Sequence, residues 1–176
     1  MKRFQSLLLA ASLALLGACS GTGTGGGSMN ASEYLTENVA FWNGTTSTVQ
    51  QWTVGPRGEE LREALQSGQG LSTFKPGLGK AQQEIRQHLM LIDQMPPADD
   101  DKVLHQKLRT YVQSCEEMFT VLGKMAALPD GYSREQIAPL AEQLQQIGNR
   151  IDAEMQALSQ AQAAYAKQHR INLQQQ

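Results

Sequence analysis

The chain has 176 residues, a formal net charge of −2 at pH 7 and only 6% aromatic residues. That charge excludes a strongly basic nucleic-acid binder and a polybasic membrane-surface domain. The length suits a single domain built on one core.

The first residues fall into three zones. Lys2 and Arg3 form a short basic start, Leu7 to Leu16 an apolar run, and Gly17-Ala18 a pair of small residues before Cys19. The apolar run is too short to cross a bilayer core, which takes about 20 residues, so the zones read as a secretory signal. Leu16-Gly17-Ala18-Cys19 resembles the lipobox of bacterial lipoproteins. The resemblance covers residues 1–19 alone. It implies cleavage before Cys19, diacylglycerol on the Cys19 thiol and a further acyl chain, such as palmitate, on the new amine. It also implies a lipid-anchored place in a bacterial cell envelope. Ser20, rather than Asp, follows the cysteine. In the sorting pattern of such lipoproteins this implies the outer membrane, with the chain facing the periplasm. With Cys19 taken by lipid, Cys115 has no partner for an intramolecular disulfide, and stability must come from packing.

Ser20 to Ser28 reads SGTGTGGGS. Such a stretch makes a flexible coil spanning roughly 15–18 Å. The expected organisation is a leader over 1–18, a lipidated cysteine and tether over 19–29, and a helical domain over 30–176. Loss of Lys2 and Arg3 with the leader makes the remainder more acidic than the whole.

The first helix is expected from about Ala31 to Thr53. Asn30 and Glu33 fit a capping box, and Leu35, Val39, Trp42, Val49 and Trp52 fall near one stripe. Its middle, Asn43-Gly44-Thr45-Thr46-Ser47-Thr48, has poor helix propensity. Either the core holds it helical or the helix kinks near Gly44. Gly55-Pro56 stops it. A short helix is expected over Glu59 to Gln66, then a Gly- and Pro-rich loop over 67–79. The second long helix runs from about Leu78 to Gln94 on the stripe Leu78, Ala81, Ile85, Leu89, Ile92, Met95, and ends at Pro96-Pro97. The third starts near Asp99 to Asp101, where acidic residues suit the helix dipole. Its stripe is Leu104, Leu108, Tyr111, Cys115, Met118, Leu122 and Met125. The fourth starts after Ser133, with Gln136 placed for a capping box, or at Pro139. Its stripe is Leu140, Leu144, Ile147, Ile151, Met155, Leu158, Gln162 and Tyr165.

Amphipathic helices joined by short connections bury their stripes most economically in an elongated antiparallel four-helix bundle. The alternative is a three-helix bundle crossed by an irregular N-terminal segment.

The chemistry-bearing residues are few. Glu84 and His88 stand four apart on one helix face, a spacing that presents two metal ligands, and His105 offers a third from the next helix. The plainer reading is an ion pair on a solvated face. Cys115 lies among Tyr111, Met118 and Phe119 and reads as an inert core thiol. The methionines Met90, Met95, Met118, Met125 and Met155 read as packing rather than a copper cluster. The sequence has no Gly-x-Ser-x-Gly nucleophile motif and no Cys-x-x-Cys-His, and no cofactor is expected. The segment Tyr34 to Trp52 is rich in aromatic residues. Phe41 and Trp42 are adjacent, so both cannot point to the centre of one stripe, and interface hot spots favour aromatics. Phe41, Trp42, Trp52 and Phe74 are therefore the expected contacts with an envelope protein partner. The function expected is that of a non-enzymatic, membrane-anchored accessory or scaffold; the alternative is a small-ligand or metal-binding sensor or carrier.

Overall fold

A computed structural model of the chain describes residues 29–95 and 102–172. The leader, Cys19, the tether through Ser28, Pro96-Pro97 and Asp99 to Asp101 lie outside the described residues. The elements in order are α1 (Ala31–Thr53), α2 (Pro56–Ser67), a 3-10 turn (Leu71–Phe74), α3 (Lys75–Gln94), α4 (Lys102–Ala126) and α5 (Arg134–Gln168). No described residue lies in a strand. The fold is an all-α bundle of four long helices, with α2 and the 3-10 turn closing one end.

The capping signals act as the sequence implies. Asn30 Oδ1 accepts from Ser32 N–H and Glu33 N–H, both at 3.0 Å, and Glu33 Oε2 accepts from Asn30 N–H at 3.1 Å. Gln136 Oε1 accepts from Ser133 N–H at 2.8 Å, so α5 starts at Arg134 and runs through Pro139. Pro139 and Glu135 are both exposed. The carbonyl that loses its donor to Pro139 is open to solvent, which makes the interruption cheap.

The seams set the strand-free topology. Asp93 of α3 meets Arg109 of α4, whereas Arg86 and Gln82, earlier on α3, meet Glu116, later on α4. The two helices are therefore antiparallel. Thr45 and Thr48 of α1 face His88 and Glu84 of α3 in the same inverse order. Tyr34 and Asn38 of α1 meet Tyr165 and Gln162 of α5 likewise. The directions alternate along α1, α3, α4 and α5. Helix α4 packs against all three others, while the backbones of α3 and α5 do not approach closely among the described residues. Burial is accordingly widest on α4, from Leu104 to Ala126. Helix α5, with 35 residues, is roughly 50 Å long at about 1.5 Å per residue.

Residues 67–79 are more ordered than a Gly- and Pro-rich composition implies. Gly68 takes φ 68°, the left-handed conformation that ends α2, and its N–H donates to Ala64 O at 2.9 Å. The Leu71 and Phe74 side chains are buried in the 3-10 turn, and α3 begins at Lys75, ahead of the expected Leu78. The reason is tertiary. Gly131 N–H donates to Gly68 O at 2.8 Å, Gly70 N–H donates to Asp130 Oδ1 at 2.9 Å, and Tyr132 OH donates to Leu65 O. The α4–α5 turn thus holds the α2–α3 connection in place.

Candidate functional site

The least ordinary part of the bundle is the α1–α3 seam, where the poor helix formers of α1 lie. Thr45 is fully buried and Thr48 nearly so. The Thr45 hydroxyl lies 3.0 Å from His88 Nδ1. Thr48 Oγ1 lies 3.1 Å from Gly44 O and 3.2 Å from Glu84 Oε1, and its one proton is shared between these acceptors. Thr46 Oγ1 lies 2.8 Å from Tyr111 OH on α4. The low-propensity run is therefore held helical by side-chain bonds to two neighbouring helices, and α1 runs unbroken through Gly44. Gly44 has a separate reason to lack a side chain. A Cβ there would come within 3.1 Å of His88 Cε1.

The electrostatics follow from this burial. Half-burial of His88 holds its imidazole below the ordinary value of 6.5, opposed by the nearby Glu84 carboxylate. The His105 imidazole is also lowered, first by burial and then by Arg109, against an opposing pull from Asp93. Burial pushes the Tyr111 phenol well above its usual range and the Cys115 thiol up to about 12, so both are neutral at physiological pH. Cys115 is fully buried, in line with a packing role.

The pair Glu84 and His88 is not an ion pair on a solvated face. Glu84 is exposed, but His88 is half-buried in the seam, with Phe41 edge-on to its ring at 5.8 Å. His105 stands on α4 with Asp93 and Arg109 as its charged neighbours. No group of three His, Cys, Asp or Glu side chains among the described residues could hold a metal ion. The trio Glu84, His88 and His105 is thus not assembled. The reason is register: His88 turns to α1, and His105 belongs to the α3–α4 seam.

The aromatic residues expected at a contact surface are mostly core. Trp42 is 7% exposed, Trp52 6% and Phe74 9%, and Phe41 alone of the four is partly exposed. Trp52 and Phe74 meet edge-to-face at 6.5 Å, and Arg57 lies 5.9 Å over the Trp52 ring. The Trp52 ring also rests on α3 at Gly77, where a Cβ would approach Cη2 to 2.9 Å. These rings seal the closed end of the bundle, because the 3-10 turn carries Phe74 inward. In this fold Trp42, Trp52 and Phe74 therefore form no exposed contact surface. Of the methionines, Met95, Met118 and Met125 are buried, while Met90 is 52% exposed on α3.

Three polar features pair residues that spacing along one helix does not bring together. Gln162 Nε2 donates to Asn38 Oδ1 at 2.9 Å, and both residues are buried. Glu116 accepts from Gln82 at 2.8 Å and from Arg86 at 2.9 Å across the α3–α4 seam. Arg150 of α5 donates to Ser114 at 3.1 Å and to Glu117 on α4. Gln162 was visible as a polar residue on an otherwise apolar stripe, which was the available signal for the first.

Compared with known proteins, the chain matches no family model, no curated protein and no solved structure.

Proposed function

We propose that the chain is a lipid-anchored envelope protein whose helical domain serves, without catalysis, as an accessory or scaffold for a protein partner. The observation that carries this reading is Leu16-Gly17-Ala18-Cys19 directly after a short apolar run. The composition of residues 20–28, only Gly, Ser and Thr, supports it, because such a sequence suits a spacer between a lipidated cysteine and a folded domain. One methylene buried in a bilayer contributes roughly 0.8 kcal/mol, and a single chain holds only marginally, so two or more acyl chains make a stable anchor. The direction of the bundle adds a constraint. Helix α1 starts at the pole shared by the end of α3, the start of α4 and the end of α5. A tether entering there would keep that pole near the bilayer and turn the end closed by α2 and the 3-10 turn outward, toward a partner.

Metabolic labelling with palmitate tests the anchor. The wild-type chain should take label and fractionate with the outer membrane, and Cys19→Ala should do neither. A native mass spectrum of the gently extracted protein tests the partner. An added protein mass supports the accessory reading, and an added metal or small molecule turns it toward a carrier.

A further inference from the structure

Helix α2 is the least anchored helix of the fold. It has 12 residues, and Leu61 is its one buried large apolar side chain, with Ala64 and Leu65 half-buried. Isolated helices shorter than about 12–15 residues are marginal in water, so α2 depends on what it packs against. It packs on α1 and the 3-10 turn, and its backbone does not closely approach α3, α4 or α5 among the described residues. The 3-10 turn, by contrast, is seated on α4 as well as α3. At its start α2 is fitted closely to α1, since a Cβ on Gly58 would come 2.9 Å from Thr53 O. Its far end is held from elsewhere, by three consecutive residues of the α4–α5 turn. Tyr132 OH donates to Leu65 O, Gly131 N–H donates to Gly68 O at 2.8 Å, and Asp130 Oδ1 accepts from Gly70 N–H at 2.9 Å. Gly68 and Gly70 take φ 68° and 72°, in the region where glycine turns without a steric penalty.

What these bonds hold shut is apolar. Arg57 of α2 lies 5.9 Å over the Trp52 ring, and Leu61 joins the buried cluster that includes Trp52, Leu71 and Phe74. We propose that residues 56–70 form a cover that opens as one unit between Gly55 and Gly70 while the rest of the bundle stays folded, and that Asp130, Gly131 and Tyr132 are its latch. Segments with few buried apolar contacts open locally, at a lower free energy than the core. Water replaces the latch bonds on opening, so each contributes only its net strength to closure. Opening bares Trp52 and the outer side of the 3-10 turn, an apolar surface that the closed bundle hides. The device rests on the geometry of this end alone and is independent of any lipid anchor.

Hydrogen exchange of the full chain, read peptide by peptide in a mass spectrometer, tests the cover. The amides of residues 57–70 should exchange together, with one shared urea dependence, well ahead of those of α4 between Leu104 and Ala126. Tyr132→Phe and Asp130→Ala each remove one latch bond. Each should speed exchange over 57–70 by roughly two- to tenfold, the effect of losing one hydrogen bond of ordinary net strength, and leave α4 unchanged. The α4 amides serve as the control for the fold, because a variant that weakens the whole bundle speeds exchange there too. Three results overturn the proposal. One is protection over 57–70 equal to that of α4. Another is protection graded inward from one end, which is fraying rather than a cover. The last is a pair of latch variants that speed exchange in every helix alike, or in none.

Discussion

Thr45 of α1 and His88 of α3 face each other across the bundle, hydroxyl to Nδ1 at 3.0 Å, with Gly44 leaving room for the imidazole edge. The contact joins a buried hydroxyl to a half-buried base, and it makes the two neighbouring positions energetically dependent on one another.

Gly44→Ala tests that dependence. Alanine gains about 1 kcal/mol over glycine inside a helix, but its Cβ would meet His88 Cε1 at 3.1 Å. In the wild-type background the gain and the crowding should roughly cancel. In a His88→Ala background the same substitution should stabilise by about 1 kcal/mol. Urea midpoints of the four proteins give the coupling, and strict additivity would show that the imidazole does not confine Gly44.

The histidines give a pH dependence with a definite sign. His88 and His105 both have folded-state values below 6.5, chiefly from burial, so the unfolded chain binds more protons as the pH falls. Stability should be fully present above 6.5 and decline on acidification from there through the lowered folded-state values. Urea melts at pH 7.5 and 5.5 measure the loss, and His88→Gln should shrink it. A stability that rises on acidification between those values would contradict the assignment.

Gly77→Ala should disturb Trp52. The new Cβ would stand 2.9 Å from Cη2 and 3.0 Å from Cζ2, so the ring or α3 must shift. Overpacking of this kind costs about 1–3 kcal/mol. The indole emission should move to the red as the ring leaves the core, and an unchanged spectrum with an unchanged melting point would rule out the close approach.

The pair Asn38 and Gln162 should behave asymmetrically. Gln162→Leu strands the buried Asn38 amide, whose Nδ2 already lacks a hydrogen-bond partner among the described residues. That single change should cost about 1–3 kcal/mol, while Asn38→Leu with Gln162→Leu should recover most of it. A double variant no more stable than the single would mean that the pair does more than satisfy itself.

Cys115 should resist modification. Its thiol is fully buried and pushed up to about 12, so thiolate is scarce at neutral pH. Iodoacetamide should leave it intact in native protein and alkylate it in urea. Rapid labelling of the native chain would place the thiol on a surface.

Much of the architecture could be read from particular residues. Asn30 with Glu33, and Ser133 with Gln136, mark helix starts because capping bonds are local and need only neighbours three apart. The long apolar stripes give four long helices for the same reason. The candidate site was read less well. Phe41 and Trp42 are adjacent in sequence, and one is half-buried and the other core, as helical geometry requires, but Trp52 and Phe74 are buried by packing partners distant along the chain.

By itself the sequence determined the class of fold, the start of α1 and the place of Cys115 on a buried stripe, since each depends on propensity, spacing or burial along one stripe. Tertiary structure alone decided that residues 67–79 are held by Asp130 and Gly131, and that the threonines of α1 turn inward to α3 and α4. It also decided that His88 and His105 belong to different seams. These depend on the rotation and register of packed helices. Many registers bury the same apolar stripe almost equally well, and only the combined polar and steric fit of side chains on separate helices selects one.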